Sequence, residues 1–196
     1  DVAEAAGRCK KASQTLAFAD ADAKNAVLRT LANALRTNAD ALLEANAGDM
    51  RDARDNGLAD AKLRRLELDA AGVEQLAESL EQIAGMPDPI GLATRDDRVA
   101  SGLRVRKVRT PLGVVAMIYE ARPGVTIDAF ALCFKAGNAC LLKGGREAAR
   151  SNAALWAMAQ DALREHSLPD SSIGLVTTSD REEIKRMLTL TESIDL

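Results

Sequence analysis

Two short stretches hold residue types at spacings that suit ligand chemistry. The first is KGGRE, Lys143 to Glu147. Lys143 offers a fixed positive charge, and Gly144 and Gly145 lack a Cβ, so a ligand can approach their backbone closely. A helix opening near Glu147 adds unbonded N–H groups and the positive end of its dipole. The expected guest is a nucleotide ribose or phosphate, although a plain strand-to-helix turn has the same spacing. No glycine-rich loop precedes Lys143 and no Ser or Thr follows it, so this is not a Walker motif, nor is it a G-x-G-x-x-G fingerprint. The second stretch is YEARPG, Tyr119 to Gly124. Arg122 can bind an anion bidentately. Glu120 can accept hydrogen bonds or pair with Arg122, and Pro123 stiffens the turn. A structural ion pair at a strand end fits this stretch equally well.

Other chemistries have little material. Cys9, Cys133 and Cys140 lie in no metal-like spacing, and His166 is the only histidine. A zinc site or a histidine-based triad is therefore not expected. Cys133 and Cys140 fall where buried cysteines act as small hydrophobes, and His166 falls in the last turn of a helix, where a cation suits the dipole. The three thiols are expected to be reduced, as in the cytoplasm. A net charge of −3 is too mild to argue for nucleic-acid or membrane binding. No apolar run approaches the length of a transmembrane span.

The elements that must position these corners are legible in outline. With 196 residues, 47% of them apolar but only 3% aromatic, the chain has ample material for a core of close-packed helices. Residues 1–89 read as helical. Asp22 is expected to cap a helix whose apolar face includes Val27, Leu31, Leu35, Leu42 and Leu43, and Asn56-Gly57 reads as a helix stop. Asp69 starts a helix with Val73, Leu76, Ala77, Leu80 and Ile83 on one face, ended by Gly85, Pro87 and Pro89. Residues 90–109 change texture. Thr94 to Asp97 reads as a turn, and Leu103 to Arg106 alternates like a half-exposed strand. Six basic residues between Arg95 and Arg109 face only two acidic ones. A solvated or subunit-facing strand explains them better than an anion-binding stripe, because no aromatics interleave.

From Pro111 onward strands and helices alternate. GVVAMIY, Gly113 to Tyr119, reads as a strand buried on both faces. A helix from Val125 to Lys135, closed by Gly137, leads to a second buried strand, ACLLK. A long helix from Glu147 to His166 follows, then a strand from Ser172 to Thr177 and a helix from Arg181 to Leu190. SIDL reads as a fourth strand just beginning. This alternation predicts an α/β fold with parallel strands and right-handed crossovers. The chain opens on Asp1 and stops inside that pattern, so a portion of a longer protein is expected.

The two corners in order carry a resemblance. The stretch P-L-G-V-x-x-x-I-Y-E-A-R-P-x-V-T, beginning at Pro111, resembles the gamma-glutamyl phosphate reductases, also called glutamate-5-semialdehyde dehydrogenases, of the aldehyde dehydrogenase superfamily. The likeness extends upstream through EANAGDMRDARDNGL, Glu44 to Leu58, and ASGLR, Ala100 to Arg104. It implies an incomplete aldehyde-dehydrogenase-like, Rossmann-type parallel sheet over residues 110–196. Before it come a helical part over 1–89 and a β-hairpin over 90–109 of the kind exchanged between subunits of a homo-oligomer. It implies an oxidoreductase of proline biosynthesis that reduces L-glutamyl 5-phosphate to glutamate 5-semialdehyde with NADPH, through a cysteine thioester.

By position, the resemblance implies that Lys143, Gly144, Gly145, Arg146 and Glu147 meet the adenosine ribose and 2′-phosphate of NADP, and that Glu120 and Arg122 meet the substrate. Other aldehyde dehydrogenases hold the oxyanion with an Asn of a Trp-Asn pair. The matching residues here are Glu120 and Ala121, and alanine has no side-chain donor. None of the three cysteines matches the nucleophile, which the resemblance places in a further domain. No catalytic residue is therefore expected within the 196 residues, which alone are expected to be inactive. Two alternatives stay open: another acylating aldehyde dehydrogenase, or a non-catalytic nucleotide-binding or assembly domain.

Overall fold

The structure, a computed structural model, describes residues 1–196. Aspartates cap half of the α-helix starts. Asp1 accepts from the Ala3 N–H ahead of α1 (Val2–Leu16), and Asp20 accepts from the Ala23 N–H ahead of α2 (Ala21–Thr37). Such caps satisfy N–H groups that have no partner inside the helix. Asp20, not Asp22, is thus the cap of α2, because Asp22 already lies in the first helical turn. The apolar face from Val27 to Leu43 is also split between two helices. Asn38 ends α2 and precedes α3 (Ala39–Asp55), and its side-chain amide donates to the Ala34 carbonyl at 2.9 Å. Asn38 itself leaves the helical region, at φ −107° and ψ 22°, and the continuous helix ends there. Asn56 and Gly57, the latter at φ +70°, stop α3 as expected. A short α4 (Asp60–Leu66) follows, and Asp69 caps α5 (Ala70–Gly85) through the Gly72 N–H.

Thr94 to Asp97 form part of a strand, not a turn. β1 (Ala93–Arg98) pairs antiparallel with β2 (Arg104–Val108), and the connection turns at Gly102, φ +84°. Cross-strand charge supports this pairing: Arg104, diagonal to Asp96 across the ladder, grips it with two bonds of 2.7 and 2.6 Å. Every residue of both strands is exposed, so neither face of the hairpin is covered within the chain. At its base, the fully buried Lys24 ammonium of α2 pairs with Asp88 at 2.6 Å.

The parallel sheet is built from β3 (Val114–Ile118), β4 (Ala139–Lys143) and β5 (Ile173–Leu175), in the order β3-β4-β5. Pairings run Val114 with Ala139 and Cys140 with Ile173. β4 is buried throughout, as a central parallel strand must be. β3 departs from its expected double-sided burial. Its first half is buried, but Ile118 is 52% exposed, because the outer edge of β3 is only partly covered. Along that edge Leu196 N–H donates to the Val114 carbonyl and Ala116 N–H donates to the Leu196 carbonyl, the bond pattern of a parallel ladder. SIDL thus lies beside β3 and makes the first bonds of a parallel pairing, although it forms no full strand.

Crossover helices α6 (Gly124–Lys135) and α7 (Ala149–Glu165) cover one face. Helix α8 (Arg181–Met187) carries the chain back across the other face, beside α1. Gly137, at φ +74°, closes α6 as expected. The long helix expected from Glu147 begins instead as a tight 3-10 turn, Arg146–Ala148, before α7. Helices α2 and α5 pack outside α6 and α7, and one hydrophobic core runs from α1 and α2 through the sheet to Met187.

Candidate functional site

The two candidate corners leave the sheet side by side. Tyr119 N–H donates to the Lys143 carbonyl at 3.0 Å just where β3 and β4 end. The chain reaches β5 on one side and returns on the far side of β3, so this carboxyl edge contains a topological switch point. Ligands bind at such points in open α/β sheets.

Lys143 is buried at the end of β4, and its ammonium donates to the Gly144 carbonyl at 2.6 Å. No carboxylate pairs with it, so its charge faces a small cavity of about 60 Å³. Lys143, Gly144, Arg146, Asn152, Thr177 and Thr178 border that cavity. Ligand pockets usually run from about 300 Å³ upward, so this one encloses a single polar group, with the rest of a larger ligand lying over open surface.

Two features of the corner differ from the sequence reading. Gly144 is required by the protein itself, whereas at Gly145 the obstacle is the movable end of a glutamate. A Cβ on Gly144 would lie 2.2 Å from Asn152 Nδ2 and 3.1 Å from Tyr119 Cε2, and one on Gly145 would lie 2.4 Å from the Glu147 carboxylate. The start of α7 is not free for an anion either. The buried Asp49 of α3 accepts from the Arg150 N–H at 3.1 Å, the Ser151 N–H at 2.8 Å and the Ser151 hydroxyl at 2.7 Å. A carboxylate of the chain thus already occupies the positive end of the helix. Asn46, one turn earlier, donates to Ser151 Oγ and to the Leu66 carbonyl and accepts from the Leu68 N–H. Cationic side chains remain: Arg146 is exposed beside the cavity, while Arg150 pairs with Asp52 at 2.8 Å.

At the first corner Glu120 does not pair with Arg122. Its carboxylate faces Lys62 of α4 at 3.6 Å, and Arg122 is an exposed guanidinium without a carboxylate partner. Ala121 is 1% exposed and packs with Met50, Ala53, Leu66 and Ala148 in a small satellite core. Its side chain therefore points away from the site, and an oxyanion donor at this position would have to be backbone. The same satellite core joins the two corners, with Ala121 from one and Ala148 from the other seated on α3 and α4.

The thiols sit where burial disfavours the thiolate. All three are buried, and burial pushes Cys9 up to about 12, Cys133 up to about 11 and Cys140 well above the ordinary thiol value. A reactive cysteine needs the opposite shift. His166 accepts or donates one bond, to the Thr30 hydroxyl at 2.8 Å, and lies far from the corners in the fold, at the C-cap of α7. Asp49, Asn46 and Asn152 escaped the sequence reading. The i, i+3 spacing of Asn46 and Asp49 puts them on one face of a helix, but nothing in the sequence says which helix end they meet.

Comparison with known proteins places this geometry. The model of the aldehyde dehydrogenase family matches residues 1–196. A gamma-glutamyl phosphate reductase of Xanthomonas campestris pv. campestris is 48% identical over 189 residues, 96% of this chain and 46% of that protein. The chain thus spans about half the length of the curated relatives it matches. Among solved structures, the gamma-glutamyl phosphate reductase of Thermotoga maritima superposes with a TM-score of 0.94 at 32% identity, over 98% of this chain and 47% of that one. The Saccharomyces cerevisiae enzyme gives 0.90 at 29% identity, over 97% and 49%. With its family matched from end to end and its fold shared with two solved members, the chain belongs to the aldehyde dehydrogenase family.

Proposed function

We propose that this chain is the cofactor-side portion of an NADPH-dependent gamma-glutamyl phosphate reductase, which converts L-glutamyl 5-phosphate to glutamate 5-semialdehyde and phosphate in the cytoplasm. The observation that carries this reading is the 48% identity to proteins of that name over nearly the whole chain. The nicotinamide cofactor, when bound, supplies the hydride that reduces the acyl group.

The residues present fit such a cofactor's adenosine end. Lys143 holds an unneutralised ammonium at the cavity, and Arg146 adds a second cation that suits a 2′-phosphate. Gly144 and Gly145 act by keeping the corner compact, and Glu147 folds back over Gly145. Because Asp49 fills the α7 end, cofactor charge is met by side chains and not by the helix dipole. Arg122, exposed and unpaired beside the same sheet edge, is placed to meet an anionic substrate, with Glu120 held by Lys62 as its neighbour. No residue of the chain acts as nucleophile. The exposed hairpin is the proposed subunit contact of a homo-oligomer.

Fluorescence titration tests the reading. NADPH should bind more tightly than NADH, and Lys143→Ala should weaken NADPH at least tenfold. Equal affinity for the two cofactors, or an unaffected Lys143→Ala variant, would overturn it. Turnover of glutamate 5-semialdehyde with NADP by these 196 residues would overturn the absence of a nucleophile.

A further inference from the structure

Asn152 stands in the second turn of α7, 3% exposed, yet it borders the Lys143 cavity. Its amide is held by one bond only. Thr126 Oγ donates to Asn152 Oδ1 at 3.0 Å, and Thr126 Oγ in turn accepts from the Tyr119 hydroxyl at 2.6 Å. Thr126 has a single hydroxyl hydrogen, so donating it to Oδ1 fixes both ends of this relay. The relay leaves the Asn152 NH2 group facing the cavity with no acceptor in the chain. No buried side-chain polar atom lacks a partner, so this nitrogen is open to the cavity and not sealed in the core. Gly144 makes the placement possible, because any Cβ there would occupy the space of Nδ2.

An almost buried amide whose free donors open onto a small polar cavity is best satisfied by an acceptor placed there. The group beside it, the Lys143 ammonium, is also a donor with capacity to spare, having bonded only the Gly144 carbonyl. Two donors converging on a cavity of about 60 Å³ select an oxygen acceptor of small size. We infer that Asn152 is a cofactor-binding residue, whose Nδ2 donates to the oxygen on the 2′ carbon of the adenosine ribose, as hydroxyl or as phosphate ester. The Tyr119–Thr126 pair acts as a positioning relay that keeps the donor end of the amide forward. This rests on the reading of the Lys143 corner as an adenosine site.

The test compares NADPH and NADH binding by fluorescence in the unaltered chain and in Asn152→Asp, Thr126→Val and Lys143→Ala. Asn152→Asp keeps the shape and the bond from Thr126 but replaces both donors with an acceptor. It should weaken NADPH at least tenfold, with the melting temperature little changed. A larger loss for NADPH than for NADH identifies the phosphate ester as the acceptor, and an equal loss identifies the hydroxyl. Thr126→Val frees the amide to rotate and should weaken binding severalfold while leaving the cavity charge intact. Asn152→Asp binding both cofactors within about twofold of the unaltered chain, while Lys143→Ala loses them, overturns the role of Asn152 alone. Unaltered binding in Lys143→Ala, or none in the unaltered chain, overturns the adenosine reading and this inference with it. Should Asn152→Asp fail to fold, undiminished binding by Thr126→Val overturns the inference in its place.

Discussion

Asp49 shows how much one side chain decides. Three donors of α7 end on its carboxylate, and Asn46 braces the same serine from the side. The cap fixes the first turn of α7, and with it the Arg146–Ala148 turn next to the Lys143 corner. Asp49→Ala would leave two backbone N–H groups and a hydroxyl short of acceptors in a buried place. It is expected to cost about 2 kcal/mol, or a fall of roughly 4–8 °C in Tm for a chain of this size. Asp49→Asn, which keeps one acceptor oxygen, should recover part of that loss in a thermal melt. A Tm unchanged in Asp49→Ala would refute the capping role. The KGGRE stretch was legible in sequence because lysine beside paired glycines after an apolar run is a local pattern. The reason for its glycines was not, because Asn152 and Tyr119 reach Gly144 from a helix turn and a neighbouring strand.

Among the elements, the segment along the outer edge of β3 is held by backbone bonds and by one carboxylate. Asp195 pairs with Lys10 of α1 at 2.7 Å and accepts from the Val114 N–H at 2.8 Å. Its Oδ2 sits where a Cβ on Gly113 would be, 2.1 Å away, and Gly113 also needs φ +126°. The Lys10 bond first, then the Val114 N–H, hold the Asp195 carboxyl below the usual carboxylate range. A depressed carboxyl stabilises the fold above its unfolded value of about 3.9, and that contribution is lost as pH falls through the lower folded value. Hydrogen exchange at the Ala116 amide, which donates to the Leu196 carbonyl, should therefore accelerate at acid pH beyond the intrinsic trend, and do so at neutral pH in Asp195→Asn. Identical protection in the variant would discount the carboxylate. The sequence reads SIDL as the beginning of a strand, and the segment makes only the first bonds of one. Its latch was not legible there, since Lys10 and Asp195 lie at opposite ends of the sequence.

At the scale of the whole molecule, apolar surface is left uncovered in several places, two of them beside strand edges. Leu103 and Val105 on the hairpin, and Ile118, Leu188 and Leu196 beside the outer edge of β3, are all exposed. Open strand edges and apolar patches of this kind promote association. Sedimentation velocity should show the chain self-associating as concentration rises. Replacing Leu103 and Val105 together by Glu should shift it toward monomer without lowering Tm, because neither residue is packed within the chain. A monomer at every concentration would rule out the hairpin as a contact. The sequence by itself determined the parallel α/β alternation, the stops at Asn56-Gly57 and Gly137, and the two strand-end corners, because period, turn chemistry and capping are local and act within a few residues. It misplaced the hairpin's turn, because the pairing of Asp96 with Arg104 depends on the register between two strands. Only the tertiary structure decided that Glu120 faces Lys62, that Asp49 fills the helix end, that Ala121 turns inward and that Asn152 faces the Lys143 cavity. Each of those contacts joins residues from separate elements, and which pairs meet is set by how helices and sheet pack on the shared core.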